Sequence, residues 1–155
     1  MQSNFINIVL YSPEIPQNTG NIARMCVSND LKLHLVKPLG FELSDKYLKR
    51  SGLDYFQYLN YQVYENWENF LELNPEANLW LLSTKGTKIY WDVKFQSNDY
   101  LVFGPETRGL PKELLAKDID RVLVVPMSSD NSRSLNLAST VQTVYYEAFR
   151  QLGCT

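Results

Sequence analysis

A short segment in the second half of the chain combines side chains that could bind a ligand with the backbone of a tight loop. Residues 100–111, YLVFGPETRGLP, begin as an apolar strand, and Glu106 and Arg108 then supply one hydrogen-bond acceptor and one donor. Gly104 and Gly109 let a ligand approach the backbone closely because they have no side chain. In open α/β sheets, ligands bind beyond the carboxyl ends of strands, so this segment is a candidate binding loop. An ordinary turn into a helix that begins near the final proline would use the same residue types.

Three other polar segments could meet this loop. Residues 83–87 and 126–136 each follow a predicted strand, and both are rich in hydroxyl and small side chains. Residues 16–24 form a further polar stretch that leads into a predicted helix and ends at Arg24. If the strands before these segments are neighbours in the sheet, the loops converge on one pocket at its carboxyl edge.

The sequence lacks the residues that several other kinds of chemistry require. The sequence contains no GxxxxGK[ST] motif and no GxGxxG motif after its first strand, so neither a P-loop enzyme nor a standard dinucleotide-binding protein is indicated. His34 is the only histidine, and we expect it to be a surface-facing strand residue rather than a metal ligand or a member of a catalytic triad. Cys26 and Cys154 have no metal-like spacing and are expected to be reduced thiols.

Size and charge narrow the class further. The 155 residues correspond to a single domain, residues 1–155, and 45% of them are hydrophobic. The amino terminus has no signal-peptide pattern and no apolar run is long enough to cross a bilayer, so we expect a cytoplasmic protein. The formal net charge of −2 argues against non-specific coating of nucleic acid. Lys46, Lys49 and Arg50 share helical spacing, and they form either a local basic surface for RNA or an ordinary solvated face.

Apolar segments that suit strands alternate with segments that have helical periodicity. This alternation predicts an α/β fold with a mostly parallel sheet flanked by helices. The predicted strands cover residues 5–11, 31–36, 61–64, 79–83, 100–103 and 122–125. The predicted helices cover residues 21–29, with Asn18 or Thr19 as the cap, and residues 44–50, 66–73, 111–117 and 135–152.

The last predicted helix has one apolar stripe with the period of an α-helix. Tyr146 and Arg150 lie partly off this stripe, four residues apart, and could face a partner. The residues that form the stripe are Ala138, Val141, Tyr145, Ala148, Phe149 and Leu152.

Three of these segments together resemble the sequence motifs of a known family. Residues 16–24 (PQNTGNIAR), 103–111 (FGPETRGLP) and 132–138 (SRSLNLA) are similar, in this order and at similar distances, to the three motifs of the SPOUT (α/β-knot) RNA methyltransferases. The spacing and the segments LDY at 53–55 and STKGT at 83–87 most resemble the TrmL/YibK branch, which methylates the 2′-hydroxyl of the tRNA wobble nucleotide, a cytidine or uridine. The resemblance runs from about residue 7 to residue 153, and only residues 127–131 depart from the expected pattern.

The resemblance implies a deep C-terminal trefoil knot and S-adenosylmethionine as the methyl donor, with no metal. By the same resemblance, Arg24, Glu106 and Asn136 are the candidate catalytic residues. Because a guanidinium has no proton acceptor, we expect Arg24 to bind the adjacent phosphate and align the hydroxyl. The proton could then leave to Glu106, to a phosphate oxygen or to water. The candidate cofactor-binding residues are Leu82, Thr84, Gly104, Gly109, Val125, Met127, Ser134 and Leu135.

The partners implied are tRNA and a second copy of the chain. A chain of this size with no separate RNA-binding domain is expected to act as a homodimer, paired through the knot helices near Tyr146 and Arg150. The candidate RNA-binding residues are Arg108, Lys46, Lys49, Arg50 and Tyr146.

Three alternative functions remain open on the sequence alone. The same chemistry could act on ribosomal RNA or on another tRNA position, because the motifs report the cofactor and the ribose rather than the target nucleotide. A non-catalytic RNA- or adenosine-binding module would not require Arg24, Glu106, Arg108 and Asn136 together. A flavodoxin-like domain for a small molecule would explain the alternation of elements but not the polar loops.

Overall fold

The computed structural model describes residues 6–44, 46, 53–132 and 134–153. Seven strands form one sheet, in the order β3-β2-β1-β6-β4-β7-β5, and every paired neighbour is parallel. The strands are β1 (Ile6–Tyr11), β2 (Lys32–Val36), β3 (Asn60–Tyr64), β4 (Leu79–Leu82), β5 (Lys88–Ile89), β6 (Asp99–Phe103) and β7 (Val122–Val124). The helices are α1 (Pro16–Ser28), α2 (Trp67–Leu73), α3 (Lys112–Lys117) and α4 (Leu137–Leu152), and short 3₁₀ helices cover Leu53–Tyr58, Tyr90–Asp92 and Ile119–Arg121.

Helices cover both faces of the sheet, which is why the central strands are apolar almost throughout. Side chains alternate between the faces along each strand. In β1, Ile8 and Leu10 pack with residues of α1 and α4, whereas Val9 packs on the opposite face with Phe70 of α2 and Leu115 of α3. The predicted α/β class with a parallel sheet is confirmed. The two-residue strand β5 was not predicted, because it is too short to leave a sequence pattern.

The first helix begins at Pro16, earlier than the predicted start near residue 21, so that prediction was wrong. Ile15 rather than Asn18 or Thr19 occupies the N-cap position, and its side chain makes no capping hydrogen bond. Proline fits the first position of a helix because its backbone has no N–H to satisfy. The backbone N–H of Ile15 instead donates to the distant carboxylate of Glu106 at 2.9 Å, a partner that no local pattern indicates.

The last helix follows its prediction closely. Asn136 is its N-cap and accepts a hydrogen bond from the Ser139 N–H at 3.1 Å, which satisfies one of the free donors at the helix start. Val144 is buried although the predicted stripe omitted it, whereas Ala138, Phe149 and Leu152 of that stripe are only partly buried.

His34 is fully buried in β2, so the prediction of a surface position was wrong. Its Nδ1 atom lies 2.7 Å from the Tyr64 hydroxyl, and its Nε2 atom lies 3.0 Å from Oδ1 of Asn7. Burial, with a smaller effect of Lys32, lowers the pKa of His34 to about 3. The ring is therefore neutral at pH 7, and it serves the core rather than catalysis.

Two further predictions concern residues 44–50 and the thiols. Most of the predicted helix at residues 44–50 lies outside the described residues, as does Cys154. Lys46, which is described, is exposed. Cys26 is free and buried, and burial raises the pKa of its thiol. None of the helices in the described part of the chain is long and apolar enough to cross a membrane.

Candidate active site

A cavity of about 440 Å³ opens at the carboxyl ends of β4, β6 and β7. These strands are adjacent in the sheet, with Leu82 of β4 aligned with both Phe103 of β6 and Leu123 of β7. The loops that follow them therefore meet at one edge, as the sequence predicted. A cavity of this volume can hold a cofactor-sized ligand.

Most of the predicted site residues line this cavity. The predicted cofactor residues all do so, together with Glu106, Arg108 and Asn136. That cofactor set comprises Leu82, Thr84, Gly104, Gly109, Val125, Met127, Ser134 and Leu135.

Other predicted site residues are elsewhere. Arg24, Lys46 and Tyr146 are described but are not among the residues that line the cavity, and Lys49 and Arg50 lie outside the described residues.

The loop after β6 depends on its two glycines. A Cβ atom at Gly104 would overlap the backbone nitrogen of Leu110 and would lie 2.5 Å from the carbonyl carbon of Gly109. Gly109 has a φ of +70°, in the left-handed region that glycine adopts without strain. Its N–H closes the loop by donating to the carbonyl of Pro105 at 2.9 Å. Both glycines are therefore needed for the shape of the cavity wall.

The carboxylate of Glu106 is held by three hydrogen-bond donors. The backbone N–H groups of Glu14 and Ile15 donate to it at 2.7 and 2.9 Å, and the side-chain amide of Asn18 donates at 3.2 Å. These donors lie at the start of α1, where the helix dipole favours a negative charge. Glu106 thus joins the loop after β6 to the first turn of α1.

A second link extends this connection to α4. Nδ2 of Asn136 donates to Oδ1 of Asn18 at 3.0 Å, while Oδ1 of Asn136 caps α4. Asn18 therefore lies between Glu106 and Asn136, and the three motif segments are connected by consecutive hydrogen bonds. The sequence prediction did not include Asn18 as a site residue, because the bonds span 88 and 118 positions of the chain.

Glu14 is another residue that the sequence prediction missed. Its carboxylate accepts hydrogen bonds from the backbone N–H and the hydroxyl of Thr107, both at 2.8 Å. It also lies 3.5 Å from Nε of Arg108, whose side chain remains largely exposed. The Thr107 N–H is the main cause of a lowered pKa for the Glu14 carboxyl. Glu14 thus fixes the loop that presents Arg108 at the cavity.

Arg24 lies on the exposed side of α1, with its guanidinium 5.2 Å from the ring centroid of Tyr55. Tyr146 is exposed on α4, and its hydroxyl accepts a hydrogen bond from Nδ2 of Asn29 at 3.1 Å. Arg150 pairs with Glu147 on the same helix at 2.8 Å. Together, these side chains form a second candidate functional surface, which lies on α1 and α4 outside the cavity.

The cavity offers apolar walls, exposed loop backbone and hydroxyl groups, a set that suits a ligand with both apolar and polar parts. Leu82, Val125 and Leu135 supply apolar contacts, and Thr84 and Ser134 supply hydroxyls. Among the described residues, no group of three or more His, Cys, Asp or Glu side chains could hold a metal ion.

Comparison with known proteins identifies the family of this chain. A sequence profile described as the SpoU rRNA methylase family matches residues 5–146, which is most of the chain and includes the three motif segments. The chain belongs to the SpoU rRNA methylase family. The resemblance inferred from the motifs is thereby confirmed.

Proteins named tRNA (cytidine(34)-2′-O)-methyltransferase are similar to this chain over nearly their full length. The tRNA (cytidine(34)-2′-O)-methyltransferase of Saccharophagus degradans is 53% identical over 148 residues, which cover 95% of this chain and 96% of that protein. The protein of the same name from Escherichia coli K12 is 48% identical over 149 residues, covering 96% and 94%.

Solved structures share the fold. A structure described as giving insights into the 2-OH methylation of C/U34 on tRNA is 44% identical, covers 95% of both chains and superposes with a TM-score of 0.90. The SpoU methyltransferase AviRb of Streptomyces viridochromogenes, solved with AdoMet, is 22% identical and has a TM-score of 0.84. It covers 98% of this chain and 59% of AviRb, and at this identity it supports the fold alone.

Proposed function

We propose that the protein is a methyltransferase that uses S-adenosylmethionine to methylate the 2′-hydroxyl of the wobble nucleotide, a cytidine or uridine, in the tRNA anticodon loop. The observation that carries this proposal is the cavity formed by the motif loops, in a chain about half identical, over nearly its whole length, to relatives named for that reaction. We also propose that residues 1–155 form one such domain and that it works in the cytoplasm.

The described cavity fits S-adenosylmethionine. Its apolar side chains at Leu82, Val125 and Leu135 suit an adenine ring, and the backbone of the loops around Gly104 and Gly109 offers partners for the polar groups. The sulfonium supplies an activated methyl group, and no metal is required for its transfer. The match of residues 5–146 to the SpoU rRNA methylase family supports a methyl donor as the ligand of this cavity.

The protein's main contribution to the reaction is to align the acceptor hydroxyl with the methyl group, since alignment alone can lower the barrier by several kcal/mol. Arg24 binds the phosphate next to the acceptor nucleotide and stabilises the charge that develops on the oxygen. Asn136 and Asn18 hold the loops in register.

Glu106 already accepts three hydrogen bonds, which favours a positioning role for its carboxylate. The hydroxyl proton then leaves to a phosphate oxygen or to water rather than to Glu106.

The form of the protein that binds tRNA contains a second copy of the chain. Tyr146 is exposed on α4, which supports a homodimer through this helix, and Arg24, outside the cavity of its own chain, stays accessible to RNA. The C-terminal segment that ends in α4 forms the trefoil knot. The residues that contact the tRNA backbone are Arg108, Lys46, Lys49, Arg50 and Tyr146.

Labelled S-adenosylmethionine incubated with the protein and total cellular RNA tests the function. We expect label in the ribose of cytidine or uridine at the first anticodon position after nuclease mapping. Label in ribosomal RNA would replace the proposal with the alternative that the family's description favours, and cofactor binding without transfer would favour a non-catalytic module.

The role of Arg24 can be tested by kinetics. Arg24→Ala is expected to lower turnover on tRNA by at least 10-fold and to leave the affinity for S-adenosylmethionine, measured by titration calorimetry, nearly unchanged. Lys117→Ala, at an exposed position of α3, is the control. Equal losses in turnover and cofactor affinity would contradict a role on the RNA side of the site.

A further inference from the structure

The 3₁₀ helix at Leu53–Tyr58 carries an aromatic side chain that the proposed chemistry does not use. Tyr58 is 71% exposed, the highest value among the large hydrophobic side chains described as exposed. The helix itself is well anchored, because Phe56 packs against the core and contacts the Tyr61 ring at 5.8 Å, and Leu59 just beyond is buried. The exposure of Tyr58 is thus a feature of a fixed element.

Tyr58 shares a face with the residue that contacts Arg24. In a 3₁₀ helix, side chains three positions apart eclipse one another at a separation of about 6 Å along the axis. Tyr55 and Tyr58 therefore project from the same side of the helix. The ring of Tyr55 lies against the Arg24 guanidinium, at 5.2 Å from its centroid. The guanidinium of Arg24 and the rings of Tyr55 and Tyr58 therefore lie next to one another, in this order, on this surface.

We propose that this Arg24–Tyr55–Tyr58 face is a binding subsite for an unpaired RNA nucleotide next to the one that is methylated. The Tyr58 ring stacks on its base, and Arg24 binds the phosphate between the two nucleotides. The inference rests on the proposed function, in which Arg24 contacts RNA. It adds a site for base stacking at Tyr58, a side chain that has no part in the proposed methyl transfer.

The chemistry of the face and the charge of the protein favour this occupant. Unstacked bases of single-stranded RNA bind to aromatic side chains and to guanidinium planes, whereas paired bases are already stacked. With a net charge of −2, the chain gains little from general attraction to RNA, so local contacts of this kind must supply affinity. Such a site is expected to favour a loop over a duplex.

Substitution of Tyr58 tests the proposal directly. Stacking of one base on an aromatic ring contributes about 1–3 kcal/mol by alanine substitution, so Tyr58→Ala is expected to raise KM for the RNA by at least about 5-fold. The rise falls on KM more than on kcat, and cofactor affinity by calorimetry is retained. Tyr58→Phe and Tyr58→Trp restore KM, because the ring and not the hydroxyl makes the contact.

Trp91→Ala is the matched control. Trp91 is 50% exposed and follows β5 at one edge of the sheet, whereas Tyr58 precedes β3 at the opposite edge. Its removal is expected to leave KM for the RNA within twofold of the wild-type value. An equal effect at both positions would mean a general loss of surface apolar area and would overturn the proposal.

Other outcomes separate the subsite from the proposed function. A wild-type KM for Tyr58→Ala overturns the subsite, as does a shift of the dimer to monomer by light scattering, which would identify the face as a protein interface. If wild-type protein methylates no tRNA, the proposed function fails on its own. Fluorescence anisotropy of a labelled single-stranded oligonucleotide then decides the subsite, which is overturned if Tyr58→Ala binds as tightly as wild type.

Discussion

Replacement of Glu106 by glutamine separates two roles for this carboxylate. The carboxylate accepts hydrogen bonds from the N–H groups of Glu14 and Ile15 and from the amide of Asn18, at 2.7, 2.9 and 3.2 Å. Glutamine has one acceptor oxygen and one NH₂ group, so at least one of these donors would face another donor. The substitution also removes a negative charge from the start of α1, where the helix dipole favours it.

The expected loss of stability follows from these contacts. A hydrogen bond to a charged group contributes about 1.5–3 kcal/mol, and the favourable charge at a helix start about 0.3–1 kcal/mol. Because Glu106 is partly exposed, we expect a total of about 2–3 kcal/mol rather than the full sum. For a domain of this size, each kcal/mol lowers Tm by about 2–4 °C, so Glu106→Gln should melt roughly 5–10 °C below wild type.

Calorimetry and a pH–rate profile of the same variant provide the measurement. If Glu106 only positions the loops, turnover falls while the shape of the pH–rate profile is retained. Glu72→Gln, an exposed change on α2, is the control and should melt with the wild type. A Glu106→Gln protein that melts within about 1 °C of wild type but loses one limb of the pH–rate profile would refute this reasoning and make Glu106 the proton acceptor.

Three further measurements test other parts of the structure. His34 is the only histidine, and its pKa is about 3 when folded against 6.5 unfolded, so the unfolded chain binds a proton first as pH falls. Stability by urea unfolding should therefore drop by about 2 kcal/mol between pH 7 and pH 5, at about 1.4 kcal/mol per unit below 6.5, and a flat profile would contradict the neutral buried ring. Gly104→Ala should cost about 1–3 kcal/mol and abolish detectable cofactor binding by calorimetry, because its Cβ would overlap loop backbone; wild-type affinity would exclude this geometry. Asn136→Ala should lose about 1 kcal/mol with the α4 cap and bind the cofactor more weakly, and undiminished affinity would remove Asn136 from the site.

Local pattern was sufficient to predict the main strands and the polar loops that follow them. The apolar strands β1, β6 and β4 were visible because both of their faces are buried, and each polar loop could be recognised by its place directly after a strand. Eleven of the predicted site residues line the cavity, among them Gly104 and Asn136, and most of these were named by the resemblance to the SPOUT family rather than by local pattern.

The errors at α1 and at His34 share one physical cause, which is partners distant in the sequence. The true start of α1 is stabilised by Glu106, about ninety residues away, and His34 is tolerated in the core because Asn7 and Tyr64 satisfy its nitrogens. The roles of Glu14 and Asn18 depend on the same long-range contacts. Strand order also decides which loops meet, and no segment contains that information by itself.

The hydrogen bond from Asn136 to Asn18 has a consequence for the growing protein on the ribosome. Asn18 and Glu106 are synthesised well before Asn136, which, with Leu135, closes the cavity from the last part of the chain. A nascent polypeptide that has emerged only as far as residue 120 therefore has the sheet centre but lacks one wall of the pocket. Cofactor affinity should thus arise only after Leu135 and Asn136 have emerged, so shorter nascent chains do not sequester the methyl donor.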